Sequence, residues 1–123
     1  MKMYLLFSHK LTDAQIEDAK KLGVDEFVYL PDDLQRKFSN VPPELESIKE
    51  YAKDFEKFLE NARKGDYVLI QGDFGLTCHM VNFSKNKGLI PVYATTKRIS
   101  KDMKKDGKVV KISEFKHIRF RRY

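Results

Sequence analysis

The stretch YVLIQGDFG at residues 67–75 decides the fold. Four large apolar residues, Tyr67 to Ile70, run together without a charge and stop at Gln71-Gly72-Asp73. A run this short, and apolar at every position rather than every second one, reads as a strand buried on both faces of a parallel sheet. Two other runs share the pattern, YLLFSHKLT at 4–12 and LIPVYATTKR at 89–98. In an open α/β sheet, ligands bind outside the carboxyl ends of the strands. The polar clusters that follow the three runs are therefore expected on one rim. That rim would gather Ser8, His9, Gln71, Asp73, Thr95, Thr96, Lys97 and Arg98.

Working outward, the spaces between the runs carry helical signals. Thr12 followed by Gln15 is a capping-box pattern and opens a helix over Asp13–Leu22, with Gly23 ending it. Glu26–Leu30 reads as a second strand, stopped by Pro31, and Asp32-Asp33 opens a short helical turn through Phe38. Leu45, Ile48, Tyr51, Ala52, Phe55, Phe58, Leu59 and Ala62 recur at three- and four-residue spacing, which predicts one long amphipathic helix. A helix from about Gly75 to Asn86 leads to a fourth strand, Leu89–Thr95. Asp106-Gly107 is a hairpin turn signal, so Lys108–Ile112 and Phe115–Phe120 read as strands or parts of a β-ribbon. The alternation predicts a single α/β domain over residues 1–123. Its expected architecture is small and Rossmann-like, a mostly parallel sheet flanked by helices, with a C-terminal β-hairpin or ribbon.

Composition narrows the setting. No apolar run approaches the roughly 18–20 residues that a membrane helix needs, and the first residues lack the pattern of a secretory signal. The lone Cys78 can form no internal disulfide, which points to a reducing, cytoplasmic residence. Net charge is +6, unevenly placed. Residues 96–123 hold eleven Lys and Arg against three acids, whereas residues 1–95 hold thirteen against fifteen. A basic last quarter on a slightly acidic body suggests a polyanionic partner, nucleic acid or nucleotide, against the plainer reading of a solvated basic surface.

Each cluster admits a functional and a structural reading. Ser8 and His9 stand before a helix N-terminus, where free N–H groups favour a phosphate, while Thr12 serves as the cap. Gln71-Gly72-Asp73-Phe74-Gly75 offers two glycines that let a backbone approach a ligand, or simply a tight strand–helix turn. It lacks the dinucleotide and P-loop fingerprints. Thr95-Thr96-Lys97-Arg98 sets two hydroxyls and two cations at a strand end, suited to an anion. In FKHIRFRRY at 115–123, strict alternation would place His117, Arg119 and Arg121 on an outward face, with Ile118 and Phe120 inward. Such a stripe could track a phosphodiester backbone or merely protect an edge strand. Cys78, His79 and His117 have no zinc-site spacing, and Asp73 is the only carboxylate expected at the rim. No metal site and no cofactor are predicted. Cys78 is expected to pack in the core, with His79 incidental on its helix.

Together, the FSHKLT opening, the amphipathic segment, GDYVLIQGDFG, LIPVYATTKR and the FKHIRFRRY tail resemble the small stand-alone CRISPR-associated proteins counted among the type III ring nucleases. The resemblance spans essentially the whole chain. It implies a Rossmann-like fold related to CRISPR sensor domains, a homodimer, and degradation of cyclic tetra-adenylate, which switches off antiviral signalling. It also implies Ser8 and Lys97 as the residues that match in kind those holding the substrate, with Arg98 a second clamp. His9, as an imidazole, suits general acid or base work near neutral pH. Gln71, Gly72, Asp73, Phe74, Gly75, Thr95, Thr96, His117, Arg119 and Arg121 would bind substrate. The expected chemistry is attack by the substrate's own 2′-OH without a metal. Two alternatives belong to other classes: a sensor or sponge that binds the ring without cutting it, and a single-stranded nucleic-acid-binding module. Neither a membrane nor a DNA duplex is expected among the partners.

Overall fold

The computed structural model describes residues 1–123. Its elements are β1 (Lys2–Phe7), α1 (Asp13–Lys21), β2 (Glu26–Tyr29), α2 (Asp32–Ser39), α3 (Lys53–Phe58), β3 (Tyr67–Gln71), α4 (Phe74–Asn86), β4 (Ile90–Lys105) and β5 (Lys108–Arg122). They build a five-stranded sheet in the order β2-β1-β3-β4-β5, parallel except for β5, which runs antiparallel to β4. The fold is thus mixed α/β with a mostly parallel sheet, as the unbroken apolar runs predict. No helix is long and apolar enough to cross a membrane.

Alternate residues of the central strands face opposite layers. Tyr4, Leu6, Val68 and Ile70 join Phe38, Phe55, Leu59, Leu76 and Met80 in a core of fourteen buried residues under α2, α3 and α4. Met3, Leu5, Tyr67, Leu69 and Val92 join Ala19 and Val24 in a smaller core of nine under α1. Each fully buried Leu, Ile or Phe contributes about 1.5–3 kcal/mol, so the three-helix face carries most of the hydrophobic stabilisation. Connections leave β1 toward one neighbour and β3 toward the other, so the strand order reverses between β1 and β3.

The capping box of α1 forms as predicted: Thr12 Oγ1 accepts the Gln15 N–H, and Gln15 Oε1 accepts the Thr12 N–H at 2.9 Å. Gly23 follows with φ +97°. The predicted helix over 45–62 does not form as one unit. Only Lys53–Phe58 is α-helical, and turns flank it on both sides. Local competition explains this. Ser47 Oγ takes the Lys49 N–H, the Tyr51 hydroxyl donates to the Lys37 carbonyl at the end of α2, and several backbone bonds span three residues rather than four. Ala52, Phe55, Leu59 and Ala62 are nevertheless buried. The periodicity identified the buried side chains correctly but not their backbone.

The C-terminal region departs most from expectation. β4 continues past the expected Thr95 to Lys105, and β5 is one strand of fifteen residues, so Lys108–Ile112 and Phe115–Phe120 are parts of a single ribbon rather than separate strands. Asp106-Gly107 makes the turn, with φ +53° and +75°, the left-handed pair that a two-residue hairpin loop requires. Beyond the sheet, ten register pairs from Thr96↔His117 to Lys105↔Lys108 form a ribbon, about 30 Å long at roughly 3.3 Å per residue. Every residue from Ser100 to Lys116 is exposed.

Two anchors hold this ribbon to the body. Gln71 Oε1 accepts the Ala94 N–H at 2.9 Å, just past the last β3–β4 register pair, and so bridges the gap where the strands part. On β5 a bulge at Ile118 interrupts the register, with Thr95↔Arg119 followed by Thr96↔His117. The extra residue reverses the alternation. His117 therefore shares a face with Phe120, ring centroids 4.8 Å apart, and its Nε2 bonds Asp18 Oδ2 of α1 at 2.8 Å. The predicted outward stripe of His117, Arg119 and Arg121 is corrected accordingly: the His117 side chain is only 5% exposed and fastens the ribbon.

Replacing His117 with Ala should leave the partly buried Asp18 carboxylate unpartnered, costing about 1–3 kcal/mol. Amide exchange should accelerate in residues 96–119 well before it does in β1 and β3. Uniform loss of protection would show that the pair is not a local fastening. Gly72 tests packing at the rim: a Cβ there would lie 2.7 Å from two carbons of the buried Phe38 ring. Gly72→Ala should cost about 1–3 kcal/mol by overpacking, and much less in a Phe38→Leu background. An unchanged denaturation midpoint in the parent background would refute this contact.

Candidate functional site

The carboxyl ends of β1, β3 and the paired part of β4 lie side by side, because these strands are parallel neighbours in register. Ser8, Gly72 and Thr95 thus lie along one edge, as expected. Around that edge the predicted residues fall into three places.

The first is a cleft of about 310 Å³ lined by Ser8, His9, Lys10, Tyr29, Leu30, Asp32 and Gln35. Ser8 and His9 are exposed. Gln35 Nε2 donates to the Phe7 carbonyl at 2.8 Å, and Ser39 Oγ donates to Ser8 Oγ at 3.2 Å, so α2 holds the end of β1. The His9 ring meets the Phe7 ring edge-on at 5.5 Å. Its nitrogens make no hydrogen bond within the chain.

The second place is a cleft of about 450 Å³ between the first turns of α4 and the end of the sheet. Gln71, Gly72 and Phe74 line it, together with Thr77, Cys78, Val81, Asn82, Tyr93 and Tyr123. Two rim expectations change here. Gly72 is required by the Phe38 ring beneath it rather than by an approaching ligand. Asp73 caps α4, its carboxylate accepting the Leu76 N–H at 3.0 Å, which places negative charge where a phosphate would otherwise sit. Cys78 is exposed, not in the core, and His79 reaches Glu56 Oε2 at 3.3 Å. No group of three His, Cys, Asp or Glu side chains is arranged to hold a metal ion.

Sequence reasoning missed the tyrosines of this cleft. The Tyr123 hydroxyl donates to the Ile70 carbonyl, and burial together with nearby Tyr93 holds it protonated above the ordinary tyrosine range. Its ring lies 4.9 Å from that of Tyr93. The Tyr93 hydroxyl accepts from Arg121 at 2.8 Å, and the Arg121 guanidinium lies over the Tyr93 ring. The register Tyr93↔Arg121 was the signal, but it can be read only once β5 is known to pair with β4.

The third place is the ribbon. Thr95 Oγ1 is spent on the Arg119 backbone, donating to its carbonyl at 2.9 Å and accepting its N–H. Thr96, Lys97 and Arg98 are exposed ladder residues rather than a loop at a strand end. Arg98 donates through Nε and a terminal nitrogen to Ser113 Oγ across the ribbon. Lys97 stands directly opposite Lys116, and Lys105 opposite Lys108. Such pairs have Cβ atoms about 4.5–5.5 Å apart and repel. No carboxylate forms a salt bridge with any of these four lysines. Within one chain, Lys97 and Arg98 line neither the Ser8–His9 cleft nor the Phe74–Tyr93 cleft.

Comparison with known proteins adds a family. Residues 1–121 match the model of the family described as Uncharacterized protein MJ1673. A relative of that description from Methanocaldococcus jannaschii is 61% identical over 124 residues, covering 99% of this chain and 96% of the relative. No solved structure matches. With both the family model and a relative so similar along the full length, the chain belongs to the MJ1673 family.

Proposed function

We propose that this protein binds cyclic tetra-adenylate and cleaves it as a ring nuclease, removing the signal that type III CRISPR effectors require. One observation carries the reading: cation pairs stand opposed on a ribbon that continues directly from the carboxyl edge of the parallel strands. Like charges held face to face destabilise a ladder until an anion lies between them. A closed ring of phosphodiesters supplies repeated anions. The finer architecture proposed is the Rossmann-like fold of CRISPR sensor domains, which presents its ligand at this same edge.

In the proposed reaction a ribose 2′-OH attacks its own phosphate in line. The 3′,5′-bridge breaks, and a 2′,3′-cyclic phosphate and a 5′-OH form. His9 takes or returns the proton, Ser8 orients the phosphate, and Lys97 and Arg98 meet the charge that builds on phosphorus. Ser8 and His9 share one cleft, while Lys97 and Arg98 lie on the ribbon. The reading therefore draws the cations of one protomer to the cleft of its partner in a homodimer. Two isologous half-sites suit a symmetric ring.

That arrangement has a direct test. His9→Ala should lower single-turnover cleavage by about 10²–10⁴-fold, and Lys97→Ala by about 10²-fold or more, with EDTA present throughout. Mixing the two inactive variants should restore about one quarter of wild-type activity, since half the dimers are mixed and each carries one intact site. No recovery on mixing, with dimer exchange verified, would place the site within one chain or dismiss it. Cleavage that EDTA abolishes would overturn the metal-free mechanism.

A second reading is favoured by the same separation of Ser8 and His9 from Lys97 and Arg98. The protein would then sequester the ring without cutting it. A stoichiometric complex whose ligand is recovered intact after long incubation at excess ring would establish that reading over cleavage.

A further inference from the structure

The Phe74–Tyr93 cleft is used by none of the proposed chemistry, yet it has the character of a built site. Phe74, Thr77, Cys78, Val81 and Asn82 recur at three- and four-residue spacing, so one stripe of α4 forms a wall. Tyr93 and Tyr123 form the wall opposite, and both are locked without a ligand: Tyr123 by its bond to the Ile70 carbonyl, Tyr93 by Arg121. Phe74 is 94% exposed at the mouth, a large flat ring left in water. Thr77 Oγ1 is buried with no hydrogen-bond partner, although a threonine in a helix can ordinarily bond to the carbonyl one turn back. Arg121 donates one guanidinium N–H to the Tyr93 hydroxyl and has no carboxylate partner.

We infer that this cleft is a subsite for a purine base with its phosphate at Arg121. The rings of Phe74, Tyr93 and Tyr123 offer stacking faces, which every base can use. The Asn82 side-chain amide has the donor–acceptor pair that reads an adenine edge. At about 450 Å³ the cleft has the size of a small-molecule site. The choice of adenine rests on the proposed function; the stacking cleft does not.

The test uses the full chain and AMP, with ribose 5-phosphate as the arm that lacks a base, followed by NMR of the Phe, Tyr, Thr and Asn side chains. AMP should shift the signals of Phe74, Thr77, Asn82 and Tyr93, and ribose 5-phosphate should bind at least 10-fold more weakly. Phe74→Ala, at an exposed position that folding does not need, should weaken AMP by about 5- to 150-fold, the range for loss of one base–aromatic stack. Thr77→Val should leave the melting temperature unchanged or higher, because it removes an unpartnered buried hydroxyl. Equal binding of AMP and ribose 5-phosphate, or AMP affinity untouched by Phe74→Ala, would overturn the inference. So would a Phe74→Ala chain that loses only self-association.

A parallel titration with cyclic tetra-adenylate separates the two readings. Ring binding that ignores Phe74→Ala removes the subsite and leaves the proposed function standing. AMP binding in the cleft, with no tighter binding of the ring, removes the ring reading and keeps the subsite.

Discussion

A two-stranded ribbon cannot hold itself in water, and the contact that fastens this one is the bond between His117 and Asp18 across 99 residues of chain. Isolated hairpins are marginally stable at best. Here the bulge at Ile118 turns His117 inward beside Phe120, and the two rings sit on the α1 face of the sheet. The face under α1 is the smaller of the two cores. The ribbon's first pairs therefore depend on α1 as much as on their own ladder. Gln71 completes the fastening from the other side, bridging to Ala94 where β4 leaves β3. These two bonds fix where eleven cationic residues of the last 28 are carried relative to the sheet edge.

The proposed function builds on that geometry. Parallel strands bring Ser8, Gln71 and Thr95 to a common edge, and the ribbon continues from this edge as a cationic arm. One protomer does not gather Ser8, His9, Lys97 and Arg98 in a single cleft, so the proposed cleavage depends on a second copy. The chain's own bonding already assigns several rim groups to structure. Asp73 caps α4, Thr95 bonds the Arg119 backbone, and Gln71 bridges two strands. What remains free is narrower than the rim as a whole: the His9 imidazole, the opposed lysines and the aromatic cleft beside α4.

Much of this was legible in the sequence. Unbroken apolar runs marked the parallel strands, Thr12 and Gln15 marked the start of α1, and Asp106-Gly107 marked the turn. What escaped was decided by long-range contacts. Residues 45–52 have helical periodicity, yet Ser47 and Tyr51 divert the local bonding into turns. Thr96 to Lys105 looked like a basic exit from the sheet because the ladder that makes it a strand lies with β5, as far as 21 residues away at His117. One bulge residue reversed the facing of His117, and alternation alone cannot locate a bulge. Tyr93 and Tyr123 read as unremarkable aromatics until their rings were seen to share a cleft.

The central claim is that sheet edge and ribbon grip one ligand together. Amide hydrogen exchange of the full chain, with saturating cyclic tetra-adenylate and with linear tetra-adenylate, tests it most directly. The account predicts that the cyclic ligand protects residues 8–10, residues 71–78 and the ribbon over 96–105 and 111–119 at the same occupancy, with the linear ligand protecting the ribbon far less. Protection confined to the ribbon, and equal for both ligands, would contradict it and leave a general single-strand-binding arm.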